Sequence, residues 1–134
     1  MIPYKILDEV NYKVNIILSF KTDLAEHGKK DFWQPPQMTT ALKTGDCEDY
    51  AILKMYHLKQ AGYSAKDMRV GYFIDEYGLG HAMLICKSQC SGGFMWRKTV
   101  DCEYLLDNRT HAMYKLGQTK DIYKNDLDVS RLVK

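Results

Sequence analysis

The chain has 134 residues, of which 46% are apolar and 27% charged, with a formal net charge of +2 and four cysteines. This length and composition fit one globular domain over residues 1 to 134 and exclude a disordered, collagen-like or coiled-coil chain. Charges of both signs are interleaved and no apolar stretch is long enough to enter a bilayer, so neither nucleic acid nor membrane insertion is expected.

Ile6, Val10, Val14, Ile17 and Leu18 recur at helical spacing and predict an amphipathic helix over about residues 4 to 22. Residues 27 to 44 contain Gly28, Pro35 and Pro36 and read as an irregular connection, of the length that usually has a functional reason. A second helix is predicted from Cys47 to Ala61, stopped by Gly62. The period then becomes extended. Strands are predicted over 68 to 74 and 81 to 86, joined by a turn over 75 to 80. Ser91, Gly92 and Gly93 mark another turn, residues 94 to 100 and 104 to 106 read as extended, and the tail adds a short strand or helix. Helices followed by an antiparallel meander predict the α+β class. Met1 to Lys5 lead straight into amphipathic sequence without a basic-then-apolar leader, which favours a cytoplasmic or phage-encoded setting over a periplasmic one. The cysteine spacing fits no zinc knuckle, and Cys86, Cys90 and Cys102 are expected as reduced residues in or near the sheet, with a bridge between two of them as the lesser alternative.

The chemistry concentrates in Gly45-Asp46-Cys47-Glu48-Asp49-Tyr50-Ala51, where a cysteine opens a helix directly after a Gly-Asp turn. Unpaired N–H groups and the helix dipole favour a negative sulfur there, and such positions lower a cysteine pKa from about 8.5 into the range of about 3.5 to 7.5. On a helical wheel Cys47 shares a face with Ala51, Leu58 and Ala61, while Glu48, Asp49, Lys59 and Gln60 lie on the other side. A small buried cysteine with dipole-complementing acids is the plainer reading of the same string. A base at a plausible place tips the balance. His81 opens an apolar strand after Gly78-Leu79-Gly80, and Asp107 ends a later strand where an acid can orient the imidazole, with Asp101 as a rival.

With these elements the chain resembles the bacterial transglutaminase-like cysteine proteases, whose best-known members are periplasmic enzymes that clip biofilm adhesins. The resemblance rests on Asn11-x-x-Val14-Asn15, Asp31-Phe32-Trp33-Gln34-Pro35-Pro36, the Gly45 to Ala51 string with Lys54 and Gly62, Gly80-His81-Ala82, and Leu106-Asp107-Asn108. It implies a papain/transglutaminase-like α+β fold, with N-terminal helices and the nucleophile-bearing helix packed on an antiparallel sheet. It implies Cys47 as nucleophile, His81 as general base and then acid, and Asp107 as the residue that holds the imidazole. Oxyanion donors are expected from the Cys47 backbone N–H, with Trp33 or Gln34 as further candidates. The function so implied is a thiol hydrolase that cleaves a peptide or isopeptide bond in a protein or peptide substrate through a thioester. Amine transfer on the same scaffold and a non-catalytic protein-binding module are the alternatives.

Asp46, Glu48 and Asp49 put negative charge beside a sulfur that must itself become negative. Bound Ca²⁺ would remove that conflict, since clustered carboxylates suit it, and the resemblance implies that use of these acids. An N-cap with first-turn acids is the competing account. No organic cofactor is expected.

Overall fold

The helical spacing near the N-terminus folds Tyr4–Ile17 into α1, which buries Leu7, Asn11 and Val14. The structure, a computed structural model, describes residues 1–22, 33–91 and 99–133. Asp31 and Phe32 of the motif, the Gly92-Gly93 turn and residues 94–98 lie outside the described residues. The first helix is shorter than its spacing predicts. Leu18 turns extended and Ser19–Phe20 forms β1, which pairs in parallel with Thr44–Gly45, β2.

The connection expected to be irregular contains α2, Pro36–Leu42. Pro36 sits in its first turn, where no backbone N–H is needed and the fixed φ suits a helix, so the prolines read as breakers instead start one. Lys43, in the left-handed region at φ 58°, ends it. The central helix α3 runs over Cys47–Gln60, and Gly62 at φ 100° provides the reversal that follows.

A 3₁₀ turn, Ala65–Asp67, leads into β3, Met68–Ile74. The remaining strands are β4 (Gly80–Ser91), β5 (Thr99–Leu106), β6 (Tyr114–Lys115) and β7 (Ile122–Leu127). They form an antiparallel sheet in the order β6-β5-β4-β3-β7. Strand β4 continues past residue 86 because the alternation persists: Ser88 is buried between exposed Lys87 and Gln89. Pairing to that longer strand keeps β5 unbroken from Thr99 onward. The tail supplies a strand, which closes the sheet against β3.

The sheet's two faces carry different cores. Ala82, Leu84, Cys86 and Leu106 pack with Ala51, Ile52, Met55 and Leu58 of α3, whereas Phe73, Met83, Ile85 and Leu105 form a cluster with Tyr114 and Leu116 against it. The register sets Cys90 opposite Val100 and Cys102 opposite Ser88, so the two cysteines are diagonal neighbours with Cα atoms 6.1 Å apart. They pair as a disulfide, which corrects the expectation of reduced thiols at these two positions. Cys86 is free and fully buried. Among the described residues no helix is long and apolar enough to cross a membrane.

Candidate active site

The start of α3 is built by reciprocal capping. Asp46 Oδ1 accepts the Asp49 N–H at 3.2 Å and Asp49 Oδ2 accepts the Asp46 N–H at 3.1 Å. Asp49 Oδ1 also accepts the Gln34 N–H at 2.8 Å, so one buried carboxylate joins the first turn of α3 to the segment before α2. The approach is close enough to demand glycine at position 45, where a Cβ would stand 2.6 Å from the Asp49 Cβ.

Two expectations change here. Asp49 does not lie on an outer face of α3 but is fully buried, because α3 is covered by the other helices as well as by the sheet. Gln34 is also buried, and its Nε2 donates to Thr39 Oγ1 and to the Thr44 carbonyl, each at 3.0 Å. With both amide hydrogens committed, the Gln34 side chain braces the connection and is not placed as an oxyanion donor. Trp33 packs, partly buried, against the main core.

Cys47 is the first residue of α3 and is half-buried. Its Sγ donates to Glu48 Oε2 at 3.3 Å and accepts the Ala82 N–H at 3.4 Å, which sets the sulfur against β4 at the residue after His81. Despite its place at the helix N-terminus, this thiol's pKa is raised overall. Burial raises it well above the ordinary cysteine value, the Glu48 charge adds to that, and the Ala82 N–H only partly opposes them.

His81 is nearly buried at the start of β4, and its Nε2 lies 2.9 Å from Asp107 Oδ1. Asp107 is the first residue beyond β5. Burial pushes its carboxyl up, but hydrogen bonds from His81 and Arg109 outweigh that and hold it far below the usual carboxylate range. An ionised Asp107 only accepts, so His81 Nε2 carries the hydrogen and Nδ1 is the basic nitrogen. Asp101, the rival acid, is exposed and pairs with Gln89 at the other end of β5.

Asp107 has two further partners that sequence reasoning missed. Arg109 donates through its backbone N–H to Oδ1 at 2.9 Å, and through Nε and Nη2 to Oδ2 at 2.9 and 2.8 Å, while Nη2 also meets Asp121. Tyr114 donates its hydroxyl to Oδ2 at 2.8 Å, and burial, then the Asp107 charge, push its pKa up to about 12. Arg109, two residues past the acid, was visible in the sequence; Tyr114 and Asp121 meet it only through the fold.

As the side chains stand, no group of three or more His, Cys, Asp or Glu among the described residues is placed to hold a metal ion. Asp46 and Glu48 are half-exposed beside the thiol and carry the hard oxygens that Ca²⁺ takes, whereas Asp49 faces inward and engages backbone N–H groups. Donor chemistry therefore fits Ca²⁺ at Asp46 and Glu48, with Asp49 supporting them from behind.

No curated protein sequence matches the chain. Its fold is similar to that of Legionella pneumophila LapG, with a TM-score of 0.72 and 20% identity over 93% of this chain and 65% of that one. Calcium-bound LapG from the same organism gives 0.70 and 22% over 93% and 65%, and EGTA-treated LapG gives 0.69 and 22% over 89% and 59%. The chain thus spans about 65% of the length of LapG, and at these identities the likeness is one of fold. The sequence pattern of the family described as bacterial transglutaminase-like cysteine proteinase matches residues 3–127, and the chain belongs to that family.

Proposed function

We propose that the protein is a thiol peptidase in which Cys47, His81 and Asp107 act as nucleophile, base and orienting acid. The observation that carries this reading is the buried His81–Asp107 pair at 2.9 Å, held on the strand whose next N–H touches the Cys47 sulfur. Asp107 fixes the tautomer, leaving Nδ1 to take the thiol proton. In the resting structure the thiol donates to Glu48, and proton transfer to His81 requires that hydrogen bond to be released. The thiolate then adds to the scissile carbonyl. His81 returns the proton to the leaving amine, and water, deprotonated by His81, releases the acyl group from the thioester. The Cys47 N–H, in the first turn of α3, precedes the helix's own hydrogen-bond ladder and supports an oxyanion.

Alkylation with iodoacetamide at about pH 6.5 tests the assignment without a known substrate. Cys47 is expected to react ahead of fully buried Cys86, and His81→Ala to slow it. Preferential reaction of Cys86, or an unchanged rate in His81→Ala, would rule the pairing out.

Solved LapG has a calcium-bound form, and we extend this to Asp46 and Glu48 here. Ca²⁺ bound there would neutralise the carboxylates that now oppose a thiolate. Ca²⁺ at about 100 times its Kd is expected to raise Tm by roughly 8 °C, reversibly with EGTA. Asp46→Ala or Glu48→Ala should remove the rise, and a rise that survives both places the ion elsewhere.

A further inference from the structure

Asp107 leads into a loop whose carbonyls are held by side chains of α1. Asn15 Nδ2 donates to the Asp107 carbonyl at 2.8 Å and to the Thr110 carbonyl at 3.1 Å. Asn11 Nδ2 donates to the His111 carbonyl at 3.0 Å and, more weakly, to that of Thr110 at 3.4 Å. Asn11 is fully buried, and its Oδ1 accepts from Lys54 Nζ at 2.8 Å and from Asn15 Nδ2 at 3.4 Å. Every donor and acceptor of the Asn11 amide is thus engaged.

Lys54 lies about two turns beyond Cys47 on the same side of α3, and it is fully buried. Its ammonium stands 5.9 Å from the centre of the Tyr50 ring. A donor-only group at the Asn11 oxygen admits one orientation of that amide, since a flip would turn an NH₂ onto the ammonium. The ladder therefore runs from the nucleophile-bearing helix through Asn11 to the loop that carries the acid. Burial on this scale is costly for a lysine, and an apolar side chain of similar volume would fill the same space without that cost.

We propose that Lys54, Asn11 and Asn15 form a positioning clamp for Asp107, which fixes the acid relative to α3 and through it aims the His81 ring. The clamp rests on the triad reading above and adds its positioning residues. It touches no substrate, and its influence passes through the Asp107 main chain. Burial lowers the Lys54 pKa to about 7, while the Asp107 charge opposes this and favours the donor-only ammonium.

The test uses hydrolysis of p-nitrophenyl acetate by the full chain with Ca²⁺ present. This ester acylates a thiol readily, so steady turnover reports attack of water on the thioester, the step in which His81 removes the proton. Lys54→Met keeps the volume and removes the donor. Its kcat is expected to fall about 10-fold to 100-fold with KM little changed, while Tm falls only modestly, because relief of the buried ammonium offsets part of the cost of the under-paired Asn11 oxygen. Asn15→Ala, at a half-buried position, removes the bonds to the Asp107 and Thr110 carbonyls and serves as the second variant should Lys54→Met not fold. Each change is then combined with Asp107→Asn. A clamp acting through Asp107 predicts double variants no slower than Asp107→Asn alone. If Asp107→Asn turns over as fast as the parent, the triad reading falls and the clamp with it. If Asp107→Asn is severe but Asn15→Ala and Lys54→Met keep full kcat, or their losses multiply with it, the triad stands and the clamp alone is overturned.

Discussion

Asp107→Asn is expected to lower peptide-amide turnover about 10⁴-fold, the loss seen when the acid of a nucleophile–His–acid triad becomes an amide. The reason is the hydrogen inventory of Asp107. Its oxygens accept from His81, Arg109 and Tyr114, and each of those bonds needs an acceptor. An asparagine can keep one oxygen towards Arg109 and Tyr114 only by turning its NH₂ towards His81. The imidazole must then present a lone pair at Nε2 and carry its hydrogen on Nδ1, the nitrogen that should take the thiol proton. The alternative rotamer preserves the histidine tautomer but aims NH₂ hydrogens at the Arg109 guanidinium. Either arrangement leaves a buried donor opposed by a donor.

The same substitution has a pH signature with a definite sign. The folded pKa of Asp107 is depressed, so its ionised form stabilises the fold above the unfolded carboxylate value of about 3.9 and that contribution is lost as pH falls below it. Urea unfolding should show the parent more stable than Asp107→Asn near neutrality, with a gap that narrows as pH falls from about 5 to about 2. A constant gap over that range would mean that the carboxylate is not held by its partners in the way the geometry shows.

How much of this was legible in the sequence depends on whether the cue was local. Cys47, His81 and Asp107 each sit at an element boundary, and boundary residues announce themselves through turn glycines and the change of period. Strand β3 carries such a cue at both ends, and its predicted span matches the structure. Gln34 lies before α2, and its buried partners Thr39, Thr44 and Asp49 meet it only through the fold; Asp49 is misread for a different reason. A helical wheel assumes one buried face, but α1 and α2 also pack on α3, so Asp49 is buried while Glu48, Lys59 and Gln60 on the same arc are not. In such a setting Lys54 and Asp49 each need polar partners, supplied by Asn11 for one and by Gln34 for the other. The partners of Asp107 follow the same rule in another form. Tyr114 and Asp121 reach the site because the chain beyond Asp107 folds back beside β5, and no periodicity in residues 108 to 121 encodes that contact.

Asp49→Ala is expected to destabilise the protein by about 3 kcal/mol, roughly 10 °C in Tm, in the presence of EGTA as well as of Ca²⁺. Asp49 is flanked in sequence by Glu48 and close to Asp46, the acids proposed to bind Ca²⁺, yet its own bonds run inward. Its carboxylate accepts the N–H groups of Asp46 and Gln34, and alanine would leave these donors without that charged acceptor in a largely water-excluded place. The capping box would also lose one of its halves, loosening the turn that sets the Cys47 sulfur against Ala82. Asp46→Ala and Glu48→Ala make a different prediction. They should cost less in EGTA, with Asp46→Ala losing a cap worth about 1 kcal/mol and Glu48→Ala still less, and their main effect should appear as the missing Ca²⁺-induced rise. Measuring Tm for the three variants with and without Ca²⁺ therefore separates a structural acid from ligating ones. If Asp49→Ala loses stability only when Ca²⁺ is present, Asp49 is a ligand and its capping bonds are incidental. If it loses stability equally in both, the segment around Gln34 and the first turn of α3 are joined by that carboxylate, and the Cys47 sulfur owes its position to it.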